Sequence, residues 1–288
     1  MGVSVGVIAY NEEQNIHNIL RDLLDQTAKI DEIIVVSSGS TDGTDSKVRQ
    51  VSGQNEKITL VCEKERKGKA SAINQFLKKA SGEVVVVSSA DLRLEKNTIQ
   101  ELLKPFQEKN VGIVSSHPVP SANKNRILGK TIELQWRLHH EISKKEPKFG
   151  ELLAFRNIIK EIPNTSVDEE SIARQVIAQG FLACYAQEAI VHNKGPETVT
   201  DFILQRRRIY CGHLELKKVH GYKASSMSTI GILKALPRST KPREAGYLAA
   251  AAMLELFARA LGAIDYYNNK EKHYMWDIAN TTKEFSNA

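Results

Sequence analysis

The chain runs Ile33-Ile34-Val35-Val36 without a polar break and then empties into Ser37-Ser38-Gly39-Ser40-Thr41-Asp42-Gly43-Thr44. A strand that is apolar on both sides must be covered on both faces, the usual condition of a parallel sheet in an α/β protein. In that architecture ligands sit beyond the carboxyl ends of the strands, where the chain turns towards a helix. The small, polar turn from Ser37 to Thr44 lies at such a junction. A binding site is therefore expected there.

Residues 3–8, 58–62, 84–87 and 111–114 read as further strands. Between them, Ile16, Ile19, Leu20, Leu23 and Leu24, and later Ala70, Ile73 and Leu77, recur at helical spacing. Glu12 and Glu13 are expected in the first turn of the first helix, where carboxylates suit the helix dipole. A long helix over residues 123–145, a strand at 152–155, a helix ending near Gly180 and two short strands at 182–185 and 190–192 follow. This alternation predicts an α/β fold with a mostly parallel central sheet and helices on both faces. From Tyr222 the pattern turns helical and irregular, with Pro237 and Pro242 expected to break it before an alanine-rich helix over 245–265. Residues 1–220 are thus expected to form the main domain and 221–288 a helical C-terminal extension.

Hydrophobic residues at 41% and charged residues at 26% describe an ordinary globular chain, neither disordered nor membrane-embedded. The net charge of +6 favours anionic partners, among them nucleotide diphosphates and acidic lipid surfaces. Cys62, Cys184 and Cys211 are widely spaced and form no Cys-x-x-Cys pair, which argues against a disulfide framework or a zinc site and for a reducing compartment. Met1-Gly2 leads directly into a strand without the pattern of a secretory signal, and the apolar run at 245–254 falls short of the ~20 residues that cross a bilayer. A cytoplasmic protein with no membrane span is expected.

Five clusters carry chemistry. Ala9-Tyr10-Asn11-Glu12 and Ser37-Ser38-Gly39-Ser40 follow successive strands and can line one crevice, although each alone is also an ordinary polar loop. Arg66-Lys67-Gly68-Lys69 precedes a helix, where backbone donors and cations converge on phosphate. Ser88-Ser89-Ala90-Asp91 ends a strand with a carboxylate able to share a divalent cation with a diphosphate, or simply to cap a turn. Asp168-Glu169-Glu170 opens a helix, serving either as a proton acceptor or as dipole compensation. Gln205-Arg206-Arg207-Arg208-Ile209 offers guanidinium groups to phosphate, or a basic stripe to solvent.

These clusters, in this order, resemble those of inverting family-two glycosyltransferases, and the last resembles the Gln-x-x-Arg-Trp motif of cellulose, chitin and hyaluronan synthases with Ile209 in place of tryptophan. The family usually has aspartates where Ser37, Ser38 and Ser89 stand. The resemblance implies a GT-A fold and a divalent metal cofactor, Mg²⁺ or Mn²⁺, on Asp91. It implies donor binding by Ala9, Tyr10, Asn11, Glu12, Ser37, Ser38, Gly39, Ser40, Lys69, Ser89, Ala90, Gln205, Arg207 and Arg208. It also implies Glu169, or its neighbour Asp168, as catalytic base. The donor would be a UDP-sugar or GDP-mannose, and the acceptor a hydroxyl of a glycan or lipid-linked molecule. Losing the tryptophan favours single addition over polymer threading. A sugar-nucleotide-binding protein without turnover is the alternative, motivated by the three serines. A nucleotidyltransferase is less favoured, since no glycine-rich basic loop follows the first strand.

Nucleic acid is not among the expected partners. Lysines and arginines at 217, 218, 223, 234, 238, 241 and 243, beside the apolar helix, suit a peripheral site on the cytoplasmic face of a membrane, whereas that helix can equally pack on its own domain or on a twin subunit in a homo-oligomer. His139, His140, His192 and His213 lack metal-ligand spacing, and Trp136 and Trp276 are expected to be packing anchors.

Overall fold

The computed structural model describes residues 1–121, 123, 126–268 and 275; the expected anchor Trp276 lies outside them. The first half alternates strand and helix: β1 (Val3–Ala9), α1 (Ile16–Leu24), β2 (Glu32–Ser38), α2 (Thr44–Ser52), β3 (Ile58–Glu63), α3 (Lys69–Leu77) and β4 (Val84–Ser89). Next come β5 (Leu92–Leu94), α4 (Thr98–Leu103), β6 (Val111–Pro120), α5 (Arg126–Ser143), β7 (Leu152–Arg156), α6 (Asp168–Ala178), β8 (Leu182–Asn193) and α7 (Val199–His220). Helices α8 (Thr229–Ser239) and α9 (Ala245–Tyr267) close the described chain.

The strands form one sheet in the order β3-β2-β1-β4-β7-β6-β8-β5. Strands β1 to β4 pair in parallel, and β6 with β8 likewise; β7 runs antiparallel between β4 and β6, and β5 antiparallel on β8. The apolar run of β2 is explained by two cores. Ile33 and Val35 face Ile16, Ile19, Leu20 and Leu23 of α1. Ile34 and Val36 face Ile73 and Phe76 of α3 on the other side. Because successive side chains point to opposite faces, a strand between two helical layers has no polar position to offer until its end.

Four local expectations are corrected. Helix α1 begins at Ile16, so Glu12 and Glu13 precede it rather than occupy its first turn. Glu12 is buried, its carboxylate accepting from Asn15 Nδ2 at 2.8 Å. The two short late strands are one strand, β8, whose pairing with β6 shifts register between Ser115 and His117. Pro237 lies within the last turn of α8 without ending it, since a proline there removes a single hydrogen bond. The fourth concerns apolar length. Pro242–Tyr267 is one helical segment of 26 residues with mean hydropathy 1.5 and 17% of its most apolar window buried, long and apolar enough by length and composition to cross a membrane. The charges within α9 are paired: Glu255 takes Arg206 and Arg259, and Asp265 takes Arg207.

Candidate active site

The carboxyl ends of β1 and β2 are sewn together by their loops. Asn11 donates through its backbone to Ser40 Oγ (3.1 Å), and its Oδ1 accepts from Thr41 N (2.8 Å). The Glu12 backbone donates to Thr44 Oγ1 at 2.8 Å. Ala9 and Ser37 are register partners at the strand ends, and both are buried. Tyr10 lies under the Arg66 guanidinium, 4.5 Å from ring centroid to carbon. Gly39 packs on the backbone of Glu65 and Arg66, where a Cβ would meet Arg66 N at 2.5 Å. The buried serines are not idle. Ser37 Oγ donates to Ser40 Oγ (2.8 Å), and Ser38 Oγ to Glu63 Oε2 (2.6 Å), while Ser71 Oγ donates to Glu63 Oε1 (2.6 Å). A carboxylate thus stands beside this turn after all, contributed by the end of β3.

A second group of residues lines a cavity enclosing about 1260 Å³, its open mouth included. Lys69, Ser89, Asp91, Asp168, Glu169, Gln205 and Arg208 all reach it. Lys69 is the first residue of α3, behind Gly68 at φ +92°, a backbone state for which glycine is suited. Its ammonium bonds Ser89 Oγ (3.1 Å) and forms a short ion pair with Glu169. Burial alone would lower the Lys69 pKa, but the charges of Glu169 and Asp168 raise it well above the usual lysine value. The same ion pair overcomes burial at Glu169 and holds its pKa low. Asp168 goes the other way, raised by burial and by the Glu169 charge. Its Oδ1 is buried and has no hydrogen-bond partner among the described residues. Ala90 closes the floor of the loop, its N–H donating to Ile8 O at 3.1 Å.

Helix α7 divides its arginines by phase. At about 100° per residue, three consecutive side chains cannot share a face. Gln205, Arg206, Arg208 and Ile209 reach the cavity, whereas Arg207 pairs with Asp265 of α9 in a bidentate ion pair. Arg206 is itself held by Glu255 at 2.7 and 2.9 Å. Arg208 lies deep, and burial lowers its pKa against the pull of Asp168 and Glu169. Of the three, Arg208 is the cation turned to the acidic cluster.

Residues to which the sequence reading gave no role of their own also meet here. Glu151 lines the cavity at φ +60° and accepts from Asn193 Nδ2 at 3.0 Å. Burial and the charge of Asp91 push its carboxyl up to about 7. Only strand pairing brings these groups together, so no local motif announces them. The apolar part of the lining is Ile132, Trp136, Phe202 and Ile209, and His139 and His213 line it too. Burial keeps both histidines neutral, His213 at about 3. Trp136, expected as a packing anchor, both packs on Leu128, Ile132 and Phe202 and faces this space. Among the described residues no group of three or more His, Cys, Asp or Glu side chains is arranged to hold a metal by itself. A cation at Asp91 would have to complete its shell with other oxygens, as Mg²⁺ and Mn²⁺ do on phosphates.

Residues 4–163 match the family description Glycosyl transferase family 2. The chain belongs to that family. Among curated relatives, the poly-beta-1,6-N-acetyl-D-glucosamine synthase of Staphylococcus aureus (strain COL) is 32% identical over 135 residues, 46% of this chain and 32% of the synthase. The Staphylococcus epidermidis synthase of the same name is 30% identical over 135 residues, with the same coverage. The match thus spans about a third of these relatives' length. Among solved structures, a mannosyltransferase from Pyrobaculum calidifontis in complex with GDP-Man and Mn²⁺ superposes with a TM-score of 0.66 at 24% identity, covering 93% of this chain and 88% of that one. Glucosyl-3-phosphoglycerate synthase from Mycobacterium tuberculosis in complex with UDP gives 0.55 at 19% identity, covering 74% and 79%. The family-2 chain has the GT-A fold of these structures, with a helical C-terminal extension.

Proposed function

We propose that this family-2 protein transfers a sugar, with inversion, from a UDP-sugar or GDP-mannose to a hydroxyl of a glycan or lipid-linked acceptor. The observation that carries this reading is the meeting, in one cavity, of Lys69, Asp91, Asp168, Glu169 and Arg208. It combines cations for a leaving diphosphate with carboxylates for a metal and for a proton, at the ends of sheet strands where a donor would lie.

In this reading the loops Ala9–Glu12 and Ser37–Ser40 take the base and ribose, and Glu63, holding Ser38, replaces the family's missing carboxylates as an acceptor next to the base. Lys69 and Arg208 receive the diphosphate, with Ser89, Ala90 and Gln205 around it; Arg207 contributes by fixing α9 rather than by touching phosphate. Asp91 would hold the divalent metal. When bound, Mg²⁺ or Mn²⁺ supplies positive charge to the leaving phosphate oxygens. Asp168 removes the acceptor proton as the new C–O bond forms on the face opposite the departing phosphate. Its unpartnered Oδ1 and raised pKa suit a proton acceptor. Glu169 keeps Lys69 aligned until the diphosphate arrives. Acceptor enters past Trp136, Phe202 and Ile209, from a lipid surface against which α8 and α9 lie.

The test is a thermal-shift series with UDP-glucose, UDP-N-acetylglucosamine and GDP-mannose, each with and without Mn²⁺, followed by turnover assays of the stabilising donor. A donor that binds the folded state raises its melting temperature. Asp168→Asn is expected to lower kcat by about 10²–10⁴-fold while leaving donor affinity intact, the range for loss of a general base. Donor binding without hydrolysis or transfer in the unsubstituted chain would favour the non-catalytic alternative. A greater loss in Glu169→Gln than in Asp168→Asn would exchange the two roles.

A further inference from the structure

Glu151 adopts φ +60°, a left-handed state that strains a non-glycine residue and persists where the surroundings impose it. The sheet explains what is gained. Leu152, the next residue, opens β7 and pairs with Ser88 at the end of β4, three positions before Asp91. From the other side Asn193 ends β8 paired with Leu92, the residue after Asp91. Two strand pairings therefore bring Glu151 and Asn193 to Asp91, and all three line the same cavity.

The amide of Asn193 has a defined orientation. Its Nδ2 donates to Glu151 Oε1 at 3.0 Å, which a carboxylate requires, and this leaves the oxygen as the outstanding atom. Asn193 is 6% exposed, and among the described residues its Oδ1 has no hydrogen-bond partner. A buried acceptor left in that state is destabilising, because its lost hydration is not replaced. Beside two carboxylates it lacks an electropositive partner. Ser89, where the family usually carries a further carboxylate, has its hydroxyl on Lys69 at 3.1 Å.

We propose that Glu151 and Asn193 complete, with Asp91, an oxygen-donor site for the divalent cation, Glu151 supplying the carboxylate that position 89 lacks. The inference rests on the donor-site reading of Asp91. Two carboxylates and an amide oxygen are hard ligands that suit Mg²⁺ or Mn²⁺, with diphosphate oxygens and water filling the remaining positions.

Titrating Mn²⁺ into the full chain, with and without UDP or GDP, and following the free-ion EPR signal tests this directly. In Glu151→Gln and in Asn193→Ala the Mn²⁺ dissociation constant should rise about tenfold or more, since even outer-shell partners are worth 10–100-fold. Affinity for UDP or GDP measured without metal should stay unchanged in both. The two substitutions lie on different strands, and melting curves report whether each variant is folded. Unchanged Mn²⁺ affinity in both, alongside a loss in Asp91→Asn, overturns the inference and leaves the donor site standing; an acceptor hydroxyl would then be the partner of Asn193. Failure of UDP and GDP to bind the unsubstituted chain, with Mn²⁺ or without, overturns the donor-site reading itself.

Discussion

Glu170 faces inward from α6, accepting from Tyr222 Oη at 2.8 Å and from the Phe149 backbone at 3.3 Å. Burial pushes its carboxyl up from 4.5 to about 7, against the opposing pull of Lys148. Between those two pH values the folded chain holds a proton that the unfolded chain has released, so stability falls as pH rises through the window. Glu170→Gln keeps one acceptor oxygen, for the Phe149 N–H, turns its amide N–H to Tyr222 Oη, which can accept as well as donate, and removes the charge. It should raise unfolding free energy at pH 8 by about 3 kcal/mol and make little difference near pH 4, the shift being worth ~1.4 kcal/mol per pH unit. Denaturant melts at the two pH values decide; an equal effect at both would mean the gain has nothing to do with ionisation. At this scale the sequence exposes residues whose motif is local. Lys69 behind Gly68, Asp91 at a strand end and Asp168-Glu169 at a helix start can each be found by spacing, and they meet in one cavity. Glu63, Glu151 and Asn193 cannot, because what gives them meaning is the strand alongside.

Helices α7 and α9 show how much an element's phase decides. A basic tripeptide looks like one cluster in one dimension, yet Arg206 and Arg207 are engaged by α9 while Arg208 turns to the acidic groups. The close approach of the two helices depends on Gly262, which is buried, and a Cβ there would meet Arg207 O at 2.5 Å. Backbone cannot swing aside as a side chain does. Gly262→Ala is therefore expected to cost about 1–3 kcal/mol of stability as overpacking, even though alanine is the better helix former. The substitution should also weaken donor binding, because α7 carries Gln205 and Arg208. A variant as stable as the parent in chemical denaturation would show that α9 is not seated on α7 in solution. Strands β1 to β4 were legible because an unbroken apolar run has one physical explanation. Strand β5 was not, since three residues next to a polar turn carry no periodicity.

The whole molecule is asymmetric: polar loops at the carboxyl ends of β1 and β2, and an exposed apolar face on the C-terminal helices. Met253, Leu256, Phe257, Ile264 and Tyr267 recur at three- and four-residue spacing along α9, each more than half exposed. Ile230 and Leu233 of α8 are exposed in the same way, and Lys223, Lys234, Arg238, Lys241 and Arg243 are exposed nearby in sequence. Composition alone hid this, because the chain averages to an ordinary globular mixture and the apolar stripe appears only once the opposite face is spent on ion pairs with α7. Those ion pairs hold α9 along the protein, which favours lying in an interface over crossing one. An apolar stripe flanked by cations binds anionic bilayers through both burial and charge. The chain should therefore sediment with phosphatidylglycerol vesicles, bind phosphatidylcholine vesicles more weakly, and be partly released by high salt. Leu256→Glu with Phe257→Glu, on the exposed face and away from the cavity, should abolish vesicle binding and leave donor affinity unchanged. If that double variant sediments with vesicles as before, lipid meets another surface; if it instead converts a dimer to a monomer in sedimentation velocity, the face belongs to a second copy of the chain.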